Sequence, residues 1–150
     1  MSTPQVKEDE IVRQLATEIR ILEGSAATLQ SRLDIVRTAS NEVALARATL
    51  EGLMKLQDGD DTLVPVGAGS YIRMKIADSK KLVMGIGAGT AIEKDVPGSI
   101  EELKGRVQEL DKARNSIQQQ LGQTLARYDQ DREALDQLLR KRGASPQTAG

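Results

Sequence analysis

The chain has 150 residues and a hydrophobic content of 39%, yet only 1% is aromatic: two Tyr, no Phe and no Trp. Rings burying roughly 150–250 Å² each usually anchor a compact core, so the aliphatic residues here are expected to pack in thin layers or against partners. With no His and no Cys, a Cys/His zinc site, a thiol nucleophile, an imidazole base and a disulfide framework are excluded, and a net charge of −1 supplies no basic field for nucleic acid.

The opening segment MSTPQVKEDE has no basic stretch leading into an apolar one, and no run of about 18 apolar residues occurs anywhere. A soluble, cytoplasmic protein with no membrane or nucleic-acid partner is expected, its residues 1–7 forming a flexible N-terminus. Over residues 8–57 the hydrophobic period is seven. Leu15, Leu22, Leu29, Val36, Val43 and Leu50 form one row, and Val12, Ile19, Ala26, Leu33 and Met54 supply much of a second. That spacing is a coiled-coil seam. From Val36 onward the second row is expected to drift to Ala39, Ala46 and Leu53, because Ser40 and Arg47 are polar.

Residues 58–98 change period. Short β-branched runs at 63–66, 71–77, 82–86 and 90–93, separated by Gly clusters and a polar turn at Asp78, Ser79 and Lys80, predict four strands. Val66-Gly67-Ala68-Gly69-Ser70-Tyr71-Ile72 repeats as Ile86-Gly87-Ala88-Gly89-Thr90-Ala91-Ile92 at an offset of 20 residues, so the insert reads as two copies of one hairpin. Ser99 with Glu102 three residues later reads as a capping box opening a second heptad helix over 99–142. Its seams run Ile100, Val107, Leu121, Tyr128, Leu135 and Leu103, Leu110, Ile117, Leu138, with Arg114, Thr124 and Asp131 as polar interruptions expected to fix register or partner. Residues 143–150 read as a disordered tail.

The fold class is therefore mainly α with a small β insert: a long antiparallel two-helix coiled coil with two β-hairpins at the connection. A helix of ~50 residues at 1.5 Å rise is roughly 75 Å long, and its partner must return alongside to cover the seam, so both termini are expected together, far from the hairpins. Two-stranded hairpins are marginal alone and their edges invite pairing, so an oligomer is expected.

The glycines of Gly67-Ala68-Gly69 and Gly85-Ile86-Gly87-Ala88-Gly89 lack the third Gly of a dinucleotide fingerprint and the Lys of a phosphate loop. They read as turn or bulge positions, and a nucleotide-binding enzyme is the weakest of three functional readings. Glu93 and Asp95, or Ser70 and Ser79 as nucleophiles, lack converging partners, and neither catalysis nor a metal or other cofactor is expected. Ile11, Val12, Leu15, Ile19, Leu135, Leu138 and Leu139 are more apolar than the end of a two-helix seam needs. An exposed apolar end commonly marks an interaction site, although simple closure of the coiled coil is an even alternative.

The heptad helix, then LVPVGAGSYIRMKI, then KLVMGIGAGTAIEKD, then a second heptad helix resemble the archaeal prefoldin alpha subunit over residues 8–142. Two hairpins point to the alpha class, since the beta class has one. Tyr71 and Ala91 are small departures that put neither fold nor assembly in doubt. The resemblance implies a heterohexamer of two alpha and four prefoldin beta subunits whose hairpins complete β-barrels. It places Leu63, Val64, Val66, Gly67, Gly69, Tyr71, Ile72, Leu82, Val83, Ile86, Gly87, Gly89 and Ile92 in the oligomerisation hairpins. It also implies an ATP-independent molecular chaperone that holds unfolded client proteins at the coiled-coil tips, the seven apolar residues above, and passes them to a group II chaperonin. The competing reading is a structural coiled-coil adaptor that docks one fixed partner through its hairpins.

Overall fold

A computed structural model describes residues 3–144. Two long helices enclose four strands in chain order: α1 Pro4–Leu53, β1 Asp61–Gly67, β2 Ser70–Lys75, β3 Lys81–Gly87, β4 Thr90–Asp95 and α2 Val96–Ala144. The described chain divides into two compact units, a terminal unit of residues up to Val36 and from Ala113 onward, and a hairpin unit of Arg37–Lys112.

Both helices begin before the boundaries expected from the sequence. Residues 4–7, read as flexible, are helical, because Pro4 suits the first helical position and the Thr3 carbonyl accepts the amides of Val6 and Lys7 at 3.0 and 3.3 Å. α1 also stops at Leu53, short of residue 57, where bonds from Lys55 to Gly52 and from Leu56 to Leu53 tighten the last turn. At α2 the cap is Asp95, not Ser99. The Asp95 carboxylate accepts the Gly98 amide at 2.8 Å, and Pro97 sits in the first turn where no partner for its nitrogen is needed. A Cβ on Gly98 would meet that carboxylate at 2.9–3.0 Å, so a larger residue there would make the Asp95 side chain shift. Ser99 instead donates to the Asp95 carbonyl at 2.8 Å, and Glu102 binds Lys94 and Arg106. α2 runs on through Gly143 and Ala144, which were read as part of the tail; the remainder of that tail, residues 145–150, lies outside the described residues.

In the terminal unit the helices are antiparallel. Cross-helix contacts join Asp9 to Arg142, Glu18 to Arg127 at 2.9 Å and Glu23 to the Tyr128 hydroxyl at 3.2 Å. Ile19, Leu29 and Leu33 are buried, Leu15, Leu22, Leu121, Leu135 and Leu138 are half-buried, and the heptad rows are therefore the packing seam. The start of α1 and the end of α2 meet here through the Asp9–Arg142 pair.

The drift expected of the α1 seam is met in part in the hairpin unit. Ala39 and Leu53 are half-buried as it requires, but Ala46 is exposed and Ser40 and Arg47 are half-buried, so positions of both spacings contribute. Arg47 can hold a seam position by packing its stem and sending its guanidinium to Glu51 at 2.9 Å. Met54 lies beyond the helix end and is exposed, so it is not a seam residue. The densest packing in this unit is the start of α2, where Val96, Ser99, Ile100 and Leu103 are all buried at helical spacing.

The strands form two separate two-stranded antiparallel sheets, β1–β2 and β3–β4. β1, β3 and β4 are longer than the β-branched runs that announce them, because pairing extends to the flanking charged residues Asp61–Lys75 and Lys81–Asp95, whereas β2 stops at Lys75, short of residue 77. Register slips by one residue at Val66 and again at Ile86, which are bulges. Ala68 and Gly69 have φ of 49° and 72°, and Ala88 and Gly89 have 51° and 71°, the left-handed pair that a tight hairpin turn of the right twist demands. The glycine-rich pieces are thus hairpin turns, and each is followed by a strand.

The linker between the hairpins is held by Asp58, whose carboxylate accepts the Ser79 amide at 2.7 Å. This bond, with further help from the Ser79 hydroxyl and the Lys80 charge, keeps Asp58 below the ordinary carboxylate range. A depressed folded-state pKa gives stability that is present above the unfolded value and lost as pH falls through the folded one. Amide exchange at Ser79 is accordingly expected to stay slow from neutral pH down through the usual carboxylate range and to accelerate only below it, whereas an Asp58→Ala chain should show no such step.

Candidate functional site: hairpin faces and helix termini

Side chains alternate between the faces of a strand, and the register sorts the hairpin residues accordingly. On one face of the first hairpin Thr62 stands opposite Met74 and Val64 opposite Ile72; on the other, Asp61 stands opposite Lys75, Leu63 opposite Arg73 and Pro65 opposite Tyr71. In the second hairpin Leu82 stands opposite Lys94 and Met84 opposite Ile92, with Lys81–Asp95, Val83–Glu93 and Gly85–Ala91 on the reverse.

The residues picked from the sequence for these hairpins are largely exposed. Leu63, Val64, Val66, Tyr71, Ile72, Val83, Ile86 and Ile92 keep between 37 and 74% of their surface. Leu82 differs: it is half-buried with Met84, along a groove of 560 Å³ that Val43, Ala46 and Leu50 of α1 and Leu103 of α2 also line. Gly67, Gly69, Gly87 and Gly89 all have positive φ, from 71° to 103°, which explains their identity. Sequence reasoning overlooked Met74, exposed on the Val64/Ile72 face, and Met84. Alternation from Ile72 and from Leu82 would have found both. Exposed apolar side chains on two-stranded sheets with open edges make these hairpins a candidate interaction surface.

The seven apolar residues nominated near the termini split by environment. Ile19 is buried in the seam, and Val12, Leu15, Leu135 and Leu138 are half-buried along it. Ile11 and Leu139 remain 45 and 47% exposed, and they are joined by Val6, 47% exposed, which fell in the segment read as flexible. Asp131, the polar interruption, is buried: Arg127 reaches its Oδ1 at 3.3 Å, while Oδ2 meets no hydrogen-bond partner among the described residues. Thr124 satisfies its hydroxyl on the Gln120 carbonyl at 2.8 Å. Among the described residues no cluster of carboxylates could hold a metal ion, and no helix is long and apolar enough to cross a membrane.

A family model described as "Prefoldin subunit" matches residues 22–141, most of the chain and the whole helix–hairpin–hairpin–helix order. The chain belongs to the prefoldin family. Its relatives include "Prefoldin subunit alpha 1" of Thermococcus kodakarensis, 36% identical over 65% of this chain and 67% of that one. "Prefoldin subunit alpha" of Nitrosopumilus maritimus is 32% identical over 87% of this chain and 89% of that one. The corresponding subunit of Methanococcoides burtonii is 36% identical over 76% and 85%. A chain in the cryo-EM structure of filamentous PFD from Methanocaldococcus jannaschii covers 81% of this chain and 94% of its own length at 23% identity and a TM-score of 0.50, a likeness of fold alone. Prefoldin is a chaperone family, and its coiled-coil helices and β-hairpins are the elements described above. A prefoldin alpha subunit assembles with other prefoldin subunits into a complex.

Proposed function

We propose that this chain is one alpha arm of an ATP-independent, cytoplasmic chaperone assembly of two alpha and four beta subunits. The hairpins complete shared β-barrels with the beta subunits, and the terminal unit captures unfolded polypeptides for delivery to a group II chaperonin. The observation that carries the capture step is the set of exposed aliphatic residues Val6, Ile11 and Leu139 beside a seam that buries a carboxylate. Apolar side chains held at helix ends offer non-directional attraction to any chain exposing apolar surface, and several arms acting together raise weak contacts to useful avidity. Helix ends also open locally at low free-energy cost, which gives the half-buried Val12, Leu15, Leu135 and Leu138 access to a client. No covalent step and no nucleotide is needed.

The triple change Val6→Ser, Ile11→Ser and Leu139→Ser separates capture from folding, because these three side chains stand largely outside the seam. Co-expressed with a beta-type subunit, the variant is expected to give the same assembly mass and the same helix content as the unaltered chain. Its suppression of aggregation of an unrelated denatured protein, measured without ATP, should fall several-fold. Full suppression by a properly assembled variant would instead support an adaptor that docks a fixed partner through its hairpins.

A further inference from the structure

The two hairpins repeat one backbone at an offset of 20 residues, with the same register, the same bulge and the same left-handed turn. Their equivalent faces sit in different surroundings. On the first hairpin Val64, Ile72 and Met74 are exposed, with Thr62 beside them half-buried. On the second, Leu82, Met84 and Lys94 of the equivalent face are all half-buried, the first two along the groove that Val43 and Leu50 of α1 and Leu103 of α2 also line. The sharpest chemical difference on this face is that Met74 of the first hairpin is replaced by Lys94 in the second. Lys94 donates from Nζ to Glu102 Oε2 of α2 at 2.5 Å, and Arg106 donates to the other oxygen of that carboxylate at 3.3 Å. These contacts keep the Glu102 carboxyl below the ordinary carboxylate range, the Lys94 bond most of all. The Lys94 and Glu102 side chains are 29 and 38% exposed, against 54–75% for the pairs Lys75–Asp61 and Lys81–Glu93 within the sheets, so solvent screens the bond to the helix least. β4 ends at Asp95 and α2 begins at Val96, whose amide adds one more rung on the Lys80 carbonyl at 2.8 Å. Such a joint fixes the base of the sheet and leaves its tilt against the helix to side-chain contacts.

We propose that the Lys94–Glu102 pair is a latch that seats the second hairpin on its own helices, so that the chain enters assembly with this hairpin already in place and the first still to be placed by a partner subunit. This deepens the reading of the hairpins as assembly surfaces and rests on it. Leu82 and Met84 supply attraction to the groove, but apolar contact is non-directional and tolerates small shifts of the sheet. A short, charge-assisted bond adds the direction that apolar contact lacks. A surface seated before encounter has less freedom to lose on association, which makes the second hairpin the preorganised one, whereas the first, with a thioether at the equivalent position, adapts to what it meets.

The test uses the full chain and three variants, with circular dichroism confirming the helices in each. Lys94→Met gives the second hairpin the residue of the first, Glu102→Gln leaves the lysine in place, and the third variant carries both changes. Amide exchange over residues 81–95 and 61–75 compares the two hairpins inside one molecule. Each single change is expected to speed exchange across 81–95 about three- to tenfold, between the effect of losing an exposed ion pair and that of losing a buried charged hydrogen bond, and to leave 61–75 as it was. The double change should go no further than either single one, because all three variants lack the same contact. Unaltered exchange over 81–95 in the single variants, equal acceleration in both hairpins, or additive effects in the double variant would overturn the proposal. Co-expression of the unaltered chain with a beta-type subunit separates the two levels: failure to co-assemble defeats the assembly reading itself, whereas a chain that co-assembles but whose second hairpin ignores both changes defeats only the latch.

Discussion

Replacing Asp131 with Leu is expected to stabilise the terminal unit by about 1–4 kcal/mol, the range in which buried ionic groups yield to apolar side chains of similar size. Asp131 continues the row of Leu103, Leu110, Ile117 and Thr124, so a leucine there meets the opposing helix as its neighbours do. The native carboxylate is 5% exposed, touches Arg127 through one oxygen and leaves the other without a hydrogen bond among the described residues. A buried acceptor left unmatched costs about 1–3 kcal/mol, and the ion pair recovers little of that because Arg127 is largely exposed and divides itself between Asp131 and Glu18. Urea unfolding should shift to higher concentration, and amide exchange should slow across residues 12–22 and 124–138. Assembly mass should not change. Client capture should fall, since a firmer seam opens less often. A variant that is less stable, or that loses the Glu18–Arg127 contact, would show that Asp131 sets the register of the two helices.

The second large effect is expected at Leu103. With 4% of its surface exposed, it belongs to the buried quartet that opens α2 and also lines the groove beneath Leu82 and Met84. Leu103→Ala should cost about 2–5 kcal/mol, the lost transfer energy plus the cavity left behind. Because β3 shares that groove, the damage is expected to reach the second hairpin and to lower the yield of assembly with a beta-type subunit. Leu45→Ala, in the same unit but 70% exposed, is the control and should change stability by no more than ~0.5 kcal/mol. Chemical denaturation of both variants, followed by mass measurement after co-expression, checks the pair.

The seam was legible because a period of seven leaves little ambiguity over fifty residues, and Leu29, Leu33, Ile100 and Leu103 are buried where the pattern put them. The hairpins were legible from alternation and from the repeat, down to the turn glycines. Helix ends were misread for a local reason. Asp95 lies at the close of a strand pattern and Pro4 inside a polar segment, so the capping roles of Asp95, Pro97 and Thr3 emerge only when backbone amides are matched to acceptors. The drift to Ala39 and Leu53 was legible, but Ser40 and Arg47 share the seam with them, since a long stem lets arginine stay there despite its charge. Near the termini the pattern named the right helical turns but could not separate Ile19, which the partner helix covers, from Ile11, which it leaves open. Periodicity assigns a side chain to a face, and the width of that face depends on the partner.

Ala68 and Ala88 each place a methyl group on a left-handed backbone, at a cost of roughly 1–2 kcal/mol for a residue other than glycine. Two-stranded sheets have little stability of their own from which to meet such a cost. The turns therefore hold their shape chiefly when the sheets they join are gripped by something else. A free chain is therefore expected to be cut by protease at residues 67–70 and 87–90 faster than the same chain co-assembled with a beta-type subunit, so that limited proteolysis would distinguish surplus subunits from finished complexes.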